Sequence, residues 1–244
     1  MDRMIYTAMS GAKATMARQD ALANNLANAN TPGFRADLSA FRAVPVRGEG
    51  MTTRVHAVDA TAGFSAVAGP VNTTGRALDI AIQGQGWFAV QGLDGNEAYT
   101  RSGGLELSAE GTLQTRNGLA VLGDGGPIVV PQGADVSIGS DGTVSARVGN
   151  APVVNVGTIK LINPPVGDLR KGADGLMRTA TGDPADADPA VVVAQGALEG
   201  SNVNAVEAMV GMIAAARQFE MQMKMLQNAD NNEQRASKLL STNG

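Results

Sequence analysis

The chain contains no cysteine and a single histidine, His56, which excludes disulfides, thiolate nucleophiles, sulfur-ligated zinc and multi-histidine metal clusters. Aromatic residues make up only 3%, with one tryptophan, so the large side chains that usually fill a compact enzyme core are scarce. Long hydrophobic runs are also missing. Stretches such as Met212 to Ala216 fall far short of the ~20 apolar residues a membrane-spanning helix needs. Near the start, Asp2, Arg3, Thr7, Ser10 and Lys13 interrupt any apolar run of the ~7 to 15 residues that a secretory signal requires, so export would have to use another route. Nineteen Lys and Arg stand against 23 Asp and Glu, a formal net charge of -4. No basic stripe is present to release counterions, which argues against a nucleic-acid partner. A length of 244 residues allows one sizeable domain, or a smaller one with substantial extensions.

Glycine and proline are unevenly placed. Residues 31–198 hold all ten prolines and 27 of the 31 glycines, and nine of the eleven methionines lie outside that stretch. The two breaker-poor ends are therefore predicted to be helical and the middle to be something else. In the first end Ile5, Ala8, Ala12, Thr15, Gln19, Leu22 and Leu26 recur at alternating steps of three and four, the period of one helical face. That face is rich in alanine and buries little apolar area, so the helix needs neighbours to offset the cost of ordering it. Asn28, Asn30, Thr31, Pro32 and Gly33 supply stop signals. In the last end Asn204 and Glu207 have the form of a capping box. From Ala205 to about Leu240 only Gly211 interrupts good helix formers, giving a rod on the order of 54 Å. Val206, Met209, Ile213, Ala216, Met223 and Gln227 follow one stripe of it, widened by Val210, Met212, Phe219 and Leu226.

Between the ends, short β-prone segments such as Leu78 to Ile82, Trp87 to Val90 and Thr143 to Val148 alternate with turn signals. Among these signals are Asp94-Gly95, Asn117-Gly118, Asp124-Gly125, Asp141-Gly142 and Asp174-Gly175, whose side chains tolerate the positive φ of hairpin turns. The expected organisation is α+β: long N- and C-terminal helices packing as a coiled-coil-like layer, plus a central all-β, Gly-rich domain. The expected boundaries are an N-terminal helix over 1–30, an extended connector over 31–75, the β domain over 76–198 and a C-terminal helix over 199–244. Whether 31–75 forms strands or a draped loop stays open.

A search for catalytic chemistry returns little. Gly84-Gln85-Gly86-Trp87-Phe88-Ala89 matches the form of a dinucleotide fingerprint, but that motif works through a helix N-terminus immediately after it. Here the following residues are bulky and β-prone, and Asp94-Gly95 leaves no room for a helix. Asp183, Asp186 and Asp188 lack the spacing of a calcium hand and read as a solvated loop. His56 has no assignable nucleophile or orienting carboxylate, and the serines show no nucleophile-elbow pattern. No catalytic residue, cofactor, metal or small-molecule substrate is therefore assigned. A secreted binding module could share the Gly-rich strands, but it would not need a long helix at each end.

Two further stretches carry a resemblance. Ala23-Asn24-Asn25-Leu26-Ala27-Asn28-Ala29-Asn30-Thr31-Pro32-Gly33-Phe34-Arg35 resembles the N-terminal signature of bacterial flagellar axial proteins, the rod and hook family. Leu198-Glu199-Gly200-Ser201-Asn202-Val203-Asn204, continuing into Glu207-Ala208-Met209 and Arg217-Gln218-Phe219-Glu220, is similar to that family's C-terminal signature. Leu78 to Phe88 and Tyr99 to Gly104 extend the likeness into the interior. The opening Met1 to Ala12 and Phe41 to Val46 are closer to proximal-rod members than to distal-rod or hook members.

This resemblance implies a non-enzymatic structural protein. It would be exported by the flagellar type III apparatus without a cleaved signal and polymerise with other rod proteins and copies of itself into a hollow periplasmic shaft. Val206, Met209, Ile213, Phe219, Met223 and Leu226 are expected to face other helices in the assembly. Asn24, Asn25 and Asn28 are expected to hydrogen-bond across subunits or cap neighbouring backbone, because three amides exceed what one helix end needs. Leu26, Gly33 and Phe34 complete the expected interface.

Overall fold

A computed structural model describes residues 2–45 and 55–241. It contains two helices and many short strands, an α+β architecture. The chain divides into two compact units, one made of 1–27, 37–64 and 204–244, the other of 28–36 and 65–203.

The first unit is built on helix α1 (Asp2–Ala27) and helix α2 (Ala205–Ser241). The α2 start is set by Asn204, whose Oδ1 accepts from the N–H groups of Val206 at 3.1 Å and Glu207 at 3.2 Å, two of the donors a helix N-terminus leaves unpaired. The helices run antiparallel, with Gly11 beside Gln222 and Gly211 beside Leu22. A Cβ at Gly211 would stand 3.1 Å from Leu22 Cδ1, so the one break in the helix-former run is where the second helix comes close. Ala8, Ala12 and Thr15 of α1 and Ala208 and Ala215 of α2 are buried. Half-buried Gln19, Leu22 and Leu26, and Met212, Phe219, Gln222 and Leu226, continue these rows at steps of three and four. The α1 row is the expected one; the Ile5 side chain lies outside the described residues. Buried Thr15 satisfies its hydroxyl by donating to the Gly11 carbonyl of its own helix.

Strands β1 (Asp37–Pro45) and β2 (Val55–Phe64) complete this unit, packing against α1. They pair antiparallel from Asp37↔Phe64 to Pro45↔Val55, with one irregularity at Ala40/Phe41. Of the two conformations left open for the stretch 31–75, strands are therefore present in it. The absence of a clean polar and apolar alternation follows from exposure: Leu38, Ser39 and Ala40 are successive exposed positions.

The second unit is all antiparallel β among its described pairings. A five-stranded sheet runs in the order Leu161–Ile162, Trp87–Gln91, Glu97–Thr100, Met177–Thr179, Leu169–Lys171. A three-stranded sheet joins Ala134–Ile138, Thr143–Val148 and Val154–Thr158. Ile80–Gln83 pairs with Val192–Gln195, and Val71–Thr73 with Ala197–Glu199, so both ends of this unit's sequence meet in ladders. Ile80, Val90, Leu105, Leu113, Val121 and Val144 are almost completely buried in one apolar cluster.

The turns use a mechanism different from the expected one. At Gly92–Asn96, Gly139–Thr143 and Gly172–Leu176 the fourth residue donates to the first carbonyl and the first N–H to the fifth carbonyl. This is a three-residue hairpin turn with a glycine in the left-handed region. Gly95, Gly142 and Gly175 carry φ of +80°, +83° and +79°, and among the described residues no other residue type has positive φ. The aspartate before each glycine contributes its carboxylate instead. Asp94, Asp141 and Asp174 accept from the backbone N–H two residues on, at 3.2, 3.0 and 3.1 Å.

Candidate assembly surface and the buried charge cluster

Four of the six apolar residues assigned to the α2 stripe are exposed, Val206 at 66%, Met209 at 44%, Ile213 at 56% and Met223 at 39%. Val210 joins them at 61%. Phe219 and Leu226 lie half-buried in the row that α2 turns to α1. The stripe read as one is thus two: an alanine-rich row used inside the chain and a row of larger side chains left outward. On α1, Tyr6, Met9 and Met16 are likewise exposed. On α2 Val206, Met209, Val210 and Ile213 form an exposed apolar strip along successive turns, whereas on α1 Lys13 lies between Met9 and Met16.

The amide cluster at the end of α1 is placed as follows. Asn25 is buried, and its side chain acts as a one-residue strand: Nδ2 donates to the Asp37 carbonyl at 2.9 Å, and Oδ1 accepts from the Asp37 N–H at 2.7 Å. It therefore caps neighbouring backbone within the chain. Asn28 Oδ1 accepts from the Thr31 hydroxyl at 3.1 Å, and the Asn28 carbonyl accepts from the Thr31 N–H, closing the turn after the helix. Asn24 is exposed and Leu26 half-buried.

Gly33 has φ +72°, and its N–H donates to the Glu199 carbonyl at 2.8 Å. A Cβ there would collide with the backbone of Arg101 and Ser102. Half-buried Phe34 lies under Lys171, whose Nζ stands 4.0 Å from the ring centroid and donates to the Arg35 carbonyl at 2.9 Å.

Next to Gly33 and Phe34 lies a buried charge cluster. Glu199 Oε1 lies 2.7 Å from Arg35 Nη1 and Oε2 lies 3.0 Å from Arg101 Nη1, with all three side chains at least 95% buried. Arg35 Nη1 also donates to the Val67 carbonyl at 2.6 Å, and Arg101 Nη2 to the Gly84 carbonyl at 2.7 Å. Both guanidinium groups sit over Trp87, at 5.8 and 5.5 Å from the ring centroid. Burial makes Arg101 easier to deprotonate than usual, Glu199 opposes that shift, and neighbouring Arg35 adds to it. Asn202 extends the cluster: its Oδ1 accepts from Ala36 N–H at 2.7 Å, while its Nδ2 donates to the carbonyls of Ser65 and Val67.

From sequence alone, Arg35, Arg101, Glu199 and Asn202 stand only within signature stretches, and Trp87 also within a glycine motif and a β-prone segment, and none of the five has an assigned role. A signal was present in Glu199, a lone carboxylate closing the fully buried strand Ala197–Glu199. Such a charge demands a partner. The Gly84–Gly86 segment is a turn between the strands Ile80–Gln83 and Trp87–Gln91, with no helix following. Among the described residues no group of three or more His, Cys, Asp or Glu is arranged to hold a metal ion. No helix there is long and apolar enough to cross a membrane.

Comparisons with known proteins agree with the two signatures. Residues 5–35 match the family described as Flagella basal body rod protein, 81–146 the Flagellar hook protein FlgE/F/G D1 domain, and 194–239 the Flagellar basal body rod FlgEFG protein C-terminal family. The chain is 47% identical to Flagellar basal-body rod protein FlgF of Escherichia coli K12, covering 99% of each chain. It is 46% identical to that of Salmonella typhimurium LT2, again over 99% of each. Flagellar basal-body rod protein FlgG of Agrobacterium fabrum is 33% identical over 93% of this chain and 95% of that protein.

Proposed function

The chain belongs to the flagellar basal-body rod protein family and is a structural subunit of that rod, and from this premise we propose that it polymerises through its two terminal helices. In this reading the outward rows of α1 and α2 form a coiled-coil-like layer with sister helices, lining a hollow shaft of the proximal rod that carries torque across the periplasm. Its role is structural rather than catalytic. Other rod proteins and copies of itself would be its neighbours, and the flagellar type III export apparatus its route out of the cytoplasm, without a cleaved signal. An interface that joins two different surfaces of each subunit does not close on itself, so it propagates as a filament.

The observation that carries the proposal is the exposure of Val206, Met209, Val210 and Ile213 on successive turns of one helix, while its fully buried positions, Ala208 and Ala215, are alanines. Burying that row against a neighbour would gain about 25 cal/mol per Å² of apolar area. Ile213→Asp tests it. Because Ile213 is 56% exposed, the purified variant should keep the wild-type circular dichroism and melting temperature while failing to enter rods, scored as loss of swimming and of rod-containing basal bodies. Normal rods from the variant would refute the interface.

A further inference from the structure

Glu199 is the one carboxylate in ion-pair contact with both Arg35 and Arg101 among the described residues, and it reaches more of the fold than a salt bridge needs. Its carbonyl accepts from Gly33 N–H, and its Oε1 accepts from Gly69 N–H at 2.9 Å. The next residue, Gly200, donates to the Pro70 carbonyl at 2.7 Å, and a Cβ at Gly69 would overlap the Gly200 carbonyl. Four chain passages, at 33–35, 67–70, 101 and 199–200, thus converge on one side chain and its own backbone.

We infer that Glu199 is a closing clasp: the passages around it set together in one cooperative step, and they stay open until residue 199 is in place. The reason is electrostatic. Without the carboxylate, two guanidinium groups would have to be buried beside each other over one indole, each uncompensated. Each guanidinium has one backbone carbonyl and the face of Trp87 besides Glu199, but Arg35 Nε and Nη2 and Arg101 Nε have no hydrogen-bond partner, so among the described residues Glu199 is the one anion that neutralises these cations in a dry site. The strand that delivers Glu199, Ala197–Glu199, is itself buried, but its ladder partner Val71–Thr73 is exposed at every residue, so the pair has one covered strand and one open strand until residue 199 arrives. Chains are made from the N-terminus. Arg35 and Arg101 therefore wait for their anion while about a hundred further residues are added beyond Arg101, and the β unit keeps an open passage during that time.

Amide hydrogen exchange on the full chain tests this. In the wild type, the Gly33, Gly69 and Gly200 amides should show a common opening free energy, because one event frees all three. Arg101→Lys keeps a cation but loses the forked contacts, and should speed exchange of all three amides together by about tenfold while leaving Gly139 and Gly142 unchanged. Protection differing by more than about tenfold between Gly33 and Gly200 in the wild type, or acceleration of only one amide in the variant, overturns the clasp. A second measurement uses Trp87, the only tryptophan. Glu199→Gln should lower the urea midpoint of its fluorescence well below that of the triple variant Arg35→Met/Arg101→Met/Glu199→Met, which removes every charge of the cluster. A single variant as stable as the triple one also overturns the inference, and if Glu199→Gln does not fold, the exchange pattern of Arg101→Lys decides alone.

Discussion

In the β unit the core is built of large side chains: Ile80, Leu105, Leu113 and Val121 are almost completely covered, with Tyr99 and Met177 beside them, although loop residues such as Leu93 and Val67 stay exposed. In the helical unit small side chains predominate among the buried ones. Along its two helices the buried positions are Ala8, Ala12, Thr15, Asn25, Ala208 and Ala215, and Phe64 closes β2 as its one large buried side chain among the described residues, while Tyr6, Met9, Met16, Val206, Met209 and Ile213 are 44 to 66% exposed. An alanine side chain offers a single methyl group to burial, against several carbons for Leu or Ile, so each buried helical position gains a fraction of what a core position of the β unit gains. The difference separates two tasks. One unit closes on its own apolar residues, and the other packs its helix pair largely through small side chains and leaves several larger ones exposed.

Three perturbations probe this contrast, and the core substitution should have the greatest consequence. Leu113→Ala empties a completely buried site in the β unit and should cost about 2–5 kcal/mol, read as a lower urea midpoint of Trp87 fluorescence. A loss no larger than that of an exposed helical position would remove the contrast. Gly211→Leu forces a side chain into the 3.1 Å space before Leu22 and should cost about 1–3 kcal/mol. That loss should show in the helical ellipticity at 222 nm and leave the Trp87 signal where it was.

The smallest effect concerns acid. The Asn96 side-chain amide holds Asp94 below the usual carboxylate range, the Thr143 N–H does so for Asp141, and the Arg178 guanidinium for Asp174. Their folded forms favour the carboxylate, so the unfolded chain binds more protons just below about pH 4. The stability they add is present above that value and is lost as pH falls through their lower folded pKa values. The Trp87 midpoint should therefore drop modestly between pH 5 and pH 3 by more than in an Asp141→Asn variant. Tyr99 marks the opposite limit: burial pushes its phenol up to about 12, against the hydrogen bond it accepts from the Ala185 N–H.

Much of the architecture was legible from neighbours along the chain. The row from Ala8 to Leu26 is inward because a period of three and four is a property of consecutive residues. Asn204 caps α2 because its oxygen need reach only two and three residues ahead. Glycine after aspartate correctly marked the hairpins at Asp94, Asp141 and Asp174, although glycine alone takes the positive φ and the aspartate acts through its carboxylate. Short strands of mixed composition, such as Glu97–Thr100 and Leu169–Lys171, escaped the reading because a three- or four-residue strand with charged residues has no period to detect.

The residues by themselves determined the kinds of element, the helix period, the hairpin positions and, through two signatures, the family. Only the tertiary structure decided which row of α2 meets α1, that Asn25 pairs with Asp37, and that Arg35 and Arg101 share Glu199. Those are choices among faces and partners of similar local quality, separated by up to 164 positions between Arg35 and Glu199. Propensity and periodicity act over a few residues, whereas a buried charge is satisfied only by what the completed fold brings to it.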